Sequence, residues 1–182
     1  FCEYDLIWVI NNITILMIII LILLLSTLSA QDFKIKGARL NYHGSHILHD
    51  WVGTSNDLKG RVFIDNDKSE YFVELNVSLR SFSSKNSNRD SNMLFATEAL
   101  DYPTITFKST SINIFKDSVK VVGNLSFHGV SKKIESTAKF QLSNDFSAKG
   151  SFKINLSDYD IERPALMFIK IDDEIKIEYF IK

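Results

Sequence analysis

The sequence predicts an all-β fold, an antiparallel sheet of eight or nine strands with one short helix. Three observations carry that prediction. Apolar and polar residues alternate with period two along most of the chain. The joints between these stretches are short clusters of turn formers. Only one segment of the 182 residues spaces its apolar side chains for a helix once the N-terminal run is set aside.

That N-terminal run comes first in the chain and lies outside the sheet. From Ile13 to Leu25 the sequence ITILMIIILILLL holds neither charge nor turn former, and small Ser29 and Ala30 and polar Gln31 and Asp32 come next. About 13 apolar residues ending in small ones have the form of a secretory signal cleaved near Ala30, and fall short of the roughly 20 that span a bilayer. Residues 1–12 carry Glu3 and Asp5 but no Lys or Arg, unlike an ordinary signal start, and Met17 is a candidate internal start. The alternative is an uncleaved anchoring helix over Leu6 to Leu28. Either way the segment 1–30 directs export of a single domain over 31–182 to a periplasmic or secreted location.

The strands then come in order. Tyr71, Val73, Leu75, Val77 and Leu79 share one face of Tyr71 to Arg80. Val119, Val121, Gly123, Leu125 and Phe127 do so from Ser118 to His128, and Ile134, Ser136, Ala138, Phe140 and Leu142 from Lys132 to Leu142. Phe146, Ala148, Gly150, Phe152, Ile154 and Leu156 line one side of Phe146 to Leu156, and Ile175, Ile177, Tyr179 and Ile181 one side of the C-terminal strand. Such strands are dry on one face and wet on the other. Weaker signals mark Phe33 to Leu40, Ile47 to Val52, Arg61 to Ile64, and Thr104 to Phe115, where the phase slips between Phe107 and Ile112 as a bulge would make it. Turns are expected at Asp65 to Lys68, Phe115 to Asp117, His128 to Val130 and Ser143 to Asp145.

The helix is expected where Met93, Ala96, Thr97 and Leu100 recur at helical spacing, with Ser87 or Asn88 as N-cap. Pro103 then forces extended backbone at Tyr102 and opens the next strand.

Composition excludes several functions. The formal net charge is −1, with 21 basic and 22 acidic residues. Because Glu3 and Asp5 are the only charges before residue 31, the domain itself is close to neutral. That leaves no footprint for nucleic acid and no polybasic membrane patch. The single cysteine, Cys2, lies in the leader, so the domain has no disulfide framework. No nucleophile elbow, phosphate loop or dinucleotide fingerprint occurs, and Glu135, Asp158, Asp160 and Glu162 are dispersed, so no enzyme is expected.

Strands with one dry face bury it in a sandwich or in a closed barrel, and the barrel also removes exposed edges. The inward set mixes bulky Phe127, Phe140 and Phe152 with small Gly123, Ser136, Ala138 and Gly150. Small residues there either leave a cavity or make room for a neighbour's ring.

Three motifs in order carry a resemblance. Arg89-Asp90 opens the helix, Tyr102-Pro103-Thr104-Ile105-Thr106-Phe107-Lys108-Ser109 opens a strand, and Gly123-Asn124-Leu125-Ser126-Phe127-His128-Gly129-Val130-Ser131-Lys132 forms a hairpin. With Leu48-His49-Asp50-Trp51 near the start, these resemble the YceI-like family of exported polyisoprenoid-binding proteins over essentially all of residues 32–182. The resemblance implies an antiparallel eight-stranded lipocalin-like β-barrel whose interior holds a polyisoprenoid or an isoprenoid quinone-like lipid. Ser157 to Ile161 resembles a further segment of the family, but its usual Arg is Asn155 or absent and its usual Gly is Asp160.

The lining expected for such a ligand is Val77, Leu79, Phe107, Val121, Leu125, Phe127, Phe140 and Phe152, with Arg89 selecting a polar group at the mouth. Arg89 and Asp90 serve equally as a helix cap and ion pair. His43, His46 and His49 would sit on one face of a helix as zinc ligands for a metal-dependent hydrolase. Gly44, Trp51 and Gly53 favour a strand or turn instead, where His46 faces away from the other two. His128 reads as a structural turn residue, Trp51 as core or rim packing, and Asn76, Asn124 and Asn155 head sequons within strands. No cofactor is implied. A structural barrel with a filled core is the third reading, and oligomeric state, a dimer included, is open.

Overall fold

A strand with one apolar face gains little alone; each pairing step adds backbone hydrogen bonds and extends the dry surface, which must then curl against itself. The computed structural model describes residues 14–19, 31–65, 68–142 and 146–182. The expected signal segment therefore lies outside the described residues except for helical backbone at 14–19, as do the turn residues 66–67 and 143–145. Among the described residues no helix is long and apolar enough to cross a membrane.

The strands are β1 (Gln31–Lys34), β2 (Ala38–His46), β3 (His49–Ser55), β4 (Lys59–Asp65), β5 (Glu70–Ser78), β6 (Thr104–Ile114), β7 (Ser118–Phe127), β8 (Val130–Leu142), β9 (Phe146–Asn155), β10 (Ala165–Leu166), β11 (Ile169–Lys170) and β12 (Glu174–Ile181). Helix α1 is Ser87–Ala96. Ten strands form one antiparallel sheet in the order β1-β4-β5-β6-β7-β8-β9-β12-β2-β3, and β10 and β11 form a separate hairpin.

The curled sheet closes through its first strand. β1 pairs with β4, while β2 pairs with β12 at the far edge. Between them the Ile35 amide donates to Gly60 O at 3.2 Å and the Lys36 amide to Lys182 O at 2.8 Å. A single kinked stave thus joins β4 on one side to β12 on the other. The expected strand over 33–40 is in fact two, so ten strands replace the eight or nine expected, with β3 at the edge of the sheet. On that side Thr54 and Ser83 form a two-way bridge, 2.9 and 3.0 Å. The expected strand 47–52 is displaced, because Ile47 and Leu48 are the turn between β2 and β3. β6 does shift register between Ser109 and Ser111.

Four inward glycines each lie beneath an aromatic ring: Gly44 under Trp51, Gly53 under Tyr42, Gly123 under Phe107 and Gly150 under Tyr179. In each case a β-carbon would overlap the ring, so the glycine lets the ring lie flat against the sheet. Backbone geometry matters at Gly60, whose φ of +146° brings it against the Glu74 carbonyl of β5. Asp160 occupies a left-handed position, φ 54° and ψ 28°. Asp tolerates this region better than most residues, so Asp160 fits the position where the resemblance leads to an expectation of Gly.

The end of the barrel beneath α1 is partly filled. Tyr159, 1% exposed, packs its ring 5.6 Å from Phe127 among Leu79, Leu125, Leu156 and Ile161. The His128 ring in the β7–β8 turn fixes this segment, Nδ1 donating to Tyr159 O at 2.9 Å. Burial pushes the Tyr159 phenol up to about 12, helped by the charge of Asp158, and its Oη finds no hydrogen-bond partner among the described residues.

Gly150→Ala should cost about 1–3 kcal/mol in urea unfolding, whereas Lys149→Ala on the wet face should stay within about 0.5 kcal/mol. The phenol of Tyr159 has a folded pKa above its ordinary 10.0, so its contribution is whole below pH 10 and is lost as pH rises through about 12. Unfolding measured across that interval should show a shallower loss for Tyr159→Phe than for the parent.

Candidate functional site

The inner face encloses a cavity of about 510 Å³, within the range of small-molecule sites. All eight apolar residues expected from the alternation line it: Val77, Leu79, Phe107, Val121, Leu125, Phe127, Phe140 and Phe152. They are not equivalent. Val77, Leu79, Leu125 and Phe127 are buried and belong to the packed wall and filled end, whereas Phe107, Val121, Phe140 and Phe152 are half-buried and line it with less cover. Small Ser136 and Ala138 also line the cavity. Both outcomes weighed for small inward residues therefore occur, since rings cover Gly123 and Gly150 while the space beside them stays open.

Polar lining gathers at one end. His49, Asn86, Asn88, Asn92, Ala165 and Leu166 both line the cavity and are exposed, which defines the mouth between α1, the β2–β3 turn and the β10–β11 hairpin. Arg89 also lines the cavity, and its guanidinium lies 5.3 Å from the Trp51 ring centroid, a cation–π contact across the mouth. Deeper in, Ser136 Oγ and the Tyr179 hydroxyl share a hydrogen bond of 2.8 Å. Tyr42 Oη is buried without a well-aligned partner among the described residues. Burial raises its pKa and the charge of Asp90 adds to this, while the Trp51 indole and Arg89 act the other way.

Helix α1 is held by its own start. Asn86, rather than the expected Ser87 or Asn88, is the N-cap, accepting from the Arg89 amide at 3.1 Å. Asp90 turns back to the preceding loop, accepting from the Ser84 amide at 2.8 Å, Ser84 Oγ at 2.6 Å and Ser83 Oγ at 3.3 Å. Burial opposes the charge of Asp90, but these bonds, with Arg89, outweigh it and hold the carboxyl below the usual range. The apolar side of α1 is Met93 and Leu94, followed by buried Thr97 and Ala99; Leu100, expected inward, is exposed.

The histidines divide differently from the expectation. β2 and β3 pair so that His46 sits opposite His49, with rings 6.2 Å apart, and both line the cavity. His43 is the one that faces away, 3.0 Å from Glu178 on β12. The tight turn at Ile47 and Leu48 returns the chain on itself, so spacing along one strand misjudges the faces. His46 Nδ1 accepts from the Leu48 amide at 3.3 Å, which leaves Nε2 to donate to Ile169 O at 3.2 Å. The three histidines do not converge, and no group of three or more metal-ligating side chains occurs among the described residues.

Sequence reasoning missed Tyr42, Tyr179 and the segment Pro164–Leu166 as lining. The signal for Tyr42 was an aromatic two residues from a glycine in each of two neighbouring strands, 42/44 and 51/53. The β10–β11 turn carries no such signal, since Met167 and Phe168 replace the usual Asn and Gly.

Replacing Asp90 with Ala should lower stability by about 1–2 kcal/mol at neutral pH. Because its folded pKa is depressed, that contribution is present above the ordinary 3.8 and is lost as pH falls through the folded value. The gap between variant and parent in chemical unfolding should therefore close in acid.

Comparison with known proteins agrees with this architecture. A family model described as the YceI-like domain matches residues 31–182. Protein YceI of Salmonella newport is 28% identical over 149 residues, covering 72% of this chain and 77% of that protein. BcnA of Burkholderia cenocepacia superposes with a TM-score of 0.70 at 16% identity, over 79% of this chain and 94% of its own. A polyisoprenoid binding domain from Saccharophagus degradans, implicated in plant cell wall breakdown, superposes with a TM-score of 0.65 at 19% identity, over 81% and 95%. These two likenesses are of fold.

Proposed function

The chain belongs to the YceI-like family, and from that premise we propose that it is an exported, non-enzymatic binder or carrier of a polyisoprenoid or isoprenoid quinone-like lipid. The observation that carries this is the cavity of about 510 Å³, apolar along most of its walls with exposed polar residues at one mouth. An apolar chain would bind there by leaving water, at roughly 0.8 kcal/mol per buried methylene, with no directed hydrogen bond along its length. A polar end would stay at the mouth, where Arg89, His49, Asn88 and Asn92 supply donors.

The aromatic residues over glycine support the same reading. Tyr42, Trp51, Phe107 and Tyr179 give the cavity flat, rigid walls, suited to a ligand with methyl branches and double bonds rather than to a hydrogen-bonding metabolite. Binding of this kind tolerates differences in chain length. The Saccharophagus degradans domain described as polyisoprenoid binding has the same fold, which makes isoprenoids the first class to test.

The test is organic extraction and mass spectrometry of the exported protein purified without detergent, followed by uptake of added isoprenoid quinone. A co-purifying polyprenyl species near one per chain is the expected result; no lipid and no uptake would leave a barrel with an unused interior. Val121→Trp, which adds bulk opposite Ser136 in the cavity, should lower uptake roughly tenfold while the circular dichroism of the sheet is retained.

A further inference from the structure

Two turns at the mouth are apolar and exposed without serving the packing of the domain. The β2–β3 turn presents Ile47 and Leu48, and the β10–β11 hairpin presents Leu166, Met167, Phe168 and Ile169, all exposed and Phe168 fully so. The turns are neighbours. His46 Nε2 donates to Ile169 O at 3.2 Å, and the Asp172 amide donates to Ser45 O at 2.9 Å. Leu166 both lines the cavity and reaches solvent, so the exposed apolar surface continues into the apolar interior.

The β10–β11 turn is also costly to build this way. Met167 and Phe168 take φ of 51° and 67°, the region that favours Gly or Asn and disfavours bulky side chains. Charges beside it are mixed in sign rather than basic: Lys170 lies 4.0 Å from Glu162, Arg163 donates to Ile171 O at 3.1 Å and lies 3.9 Å from Asp173, and Asp50 and Asp172 are exposed. At the opposite end of the barrel Ile114 and Phe115 are also exposed, but the β6–β7 turn sets charged Lys116 and Asp117 beside them.

We infer that the two mouth turns form a bilayer-contact surface, entering the apolar interface of a lipid membrane so that an apolar chain passes between bilayer and cavity without crossing water. This rests on the lipid-binding reading of the cavity. A second copy of the chain is the rival occupant, but a protein partner would not account for an exposed apolar surface that runs on into a lipid-sized apolar cavity. A lipid interface accepts isolated apolar wedges. With no excess of basic residues beside it, the contact depends on burial and not on anionic lipid.

The experiment uses the full chain with Cys2→Ser and an environment-sensitive fluorophore at Met167→Cys, or at Lys116→Cys as the opposite-end control, mixed with phosphatidylcholine vesicles. Emission at position 167 should shift to the blue and be quenched by spin-labelled lipid about threefold more than at 116, with little change when anionic lipid is added. Phe168→Ser combined with Leu48→Ser should take a fluorescent isoprenoid from vesicles roughly tenfold more slowly while binding the same probe from solution unchanged. A label at 167 that stays in water, or a double variant that loads from vesicles as fast as the parent, overturns the inference. So does concentration-dependent dimerisation abolished by the same two substitutions, which would assign the turns to a second copy. Failure of the parent to bind the probe from solution would instead count against the lipid-binding reading, and the label at 167 would still decide the membrane contact.

Discussion

Closure of the sheet is the constraint on which the rest depends. Ten strands with one dry face would leave two open edges and an exposed apolar surface if the sheet stayed flat. The chain limits both by letting the stave 31–46 change partners midway, from β4 to β12, around the kink at 35–37, with β3 left at the edge. The inner face then has only itself, the helix and the filled end to pack against. With Tyr159 and its neighbours filling one region and α1 lying across the mouth, the remaining interior becomes the cavity.

Curvature and cavity share a cause in the glycines. A tightly curled sheet crowds the side chains on its concave face, and a glycine opposite each large ring relieves that crowding. The ring then occupies the glycine's space instead of the centre of the barrel. Tyr42, Trp51, Phe107 and Tyr179 are therefore wall residues, and the central volume stays unfilled despite the 14 Phe and 6 Tyr of the chain.

Polarity is arranged around the same geometry. Buried hydroxyls deep in the wall are either paired, as at Ser136 and Tyr179, or few, as at Tyr42. Groups able to address a polar end stand at the mouth, where Arg89 rests on Trp51 and Asn86 caps the helix that carries it. Asp90 contributes by fastening the loop before α1 to the helix rather than by facing the ligand space.

Much of this was legible in the residues. Period-two alternation identified the faces of β5, β7, β8, β9 and β12, because a strand's side-chain period is a local property that burial on one side makes visible. The bulge in β6 and the eight apolar lining residues came from the same pattern, and helix α1 from apolar residues at helical spacing. What alternation could not supply was anything decided by which strands meet. His43, His46 and His49 were misassigned because a two-residue turn, not helix or strand spacing, relates them. The double membership of the stave 31–46, the ring above each glycine and the apolar turn at Met167 and Phe168 likewise depend on partners distant in the chain. The sequence by itself determined the strands and which of their faces is dry; only the tertiary structure decided how that dry face closes, because closure is a relation between edges that no local pattern encodes.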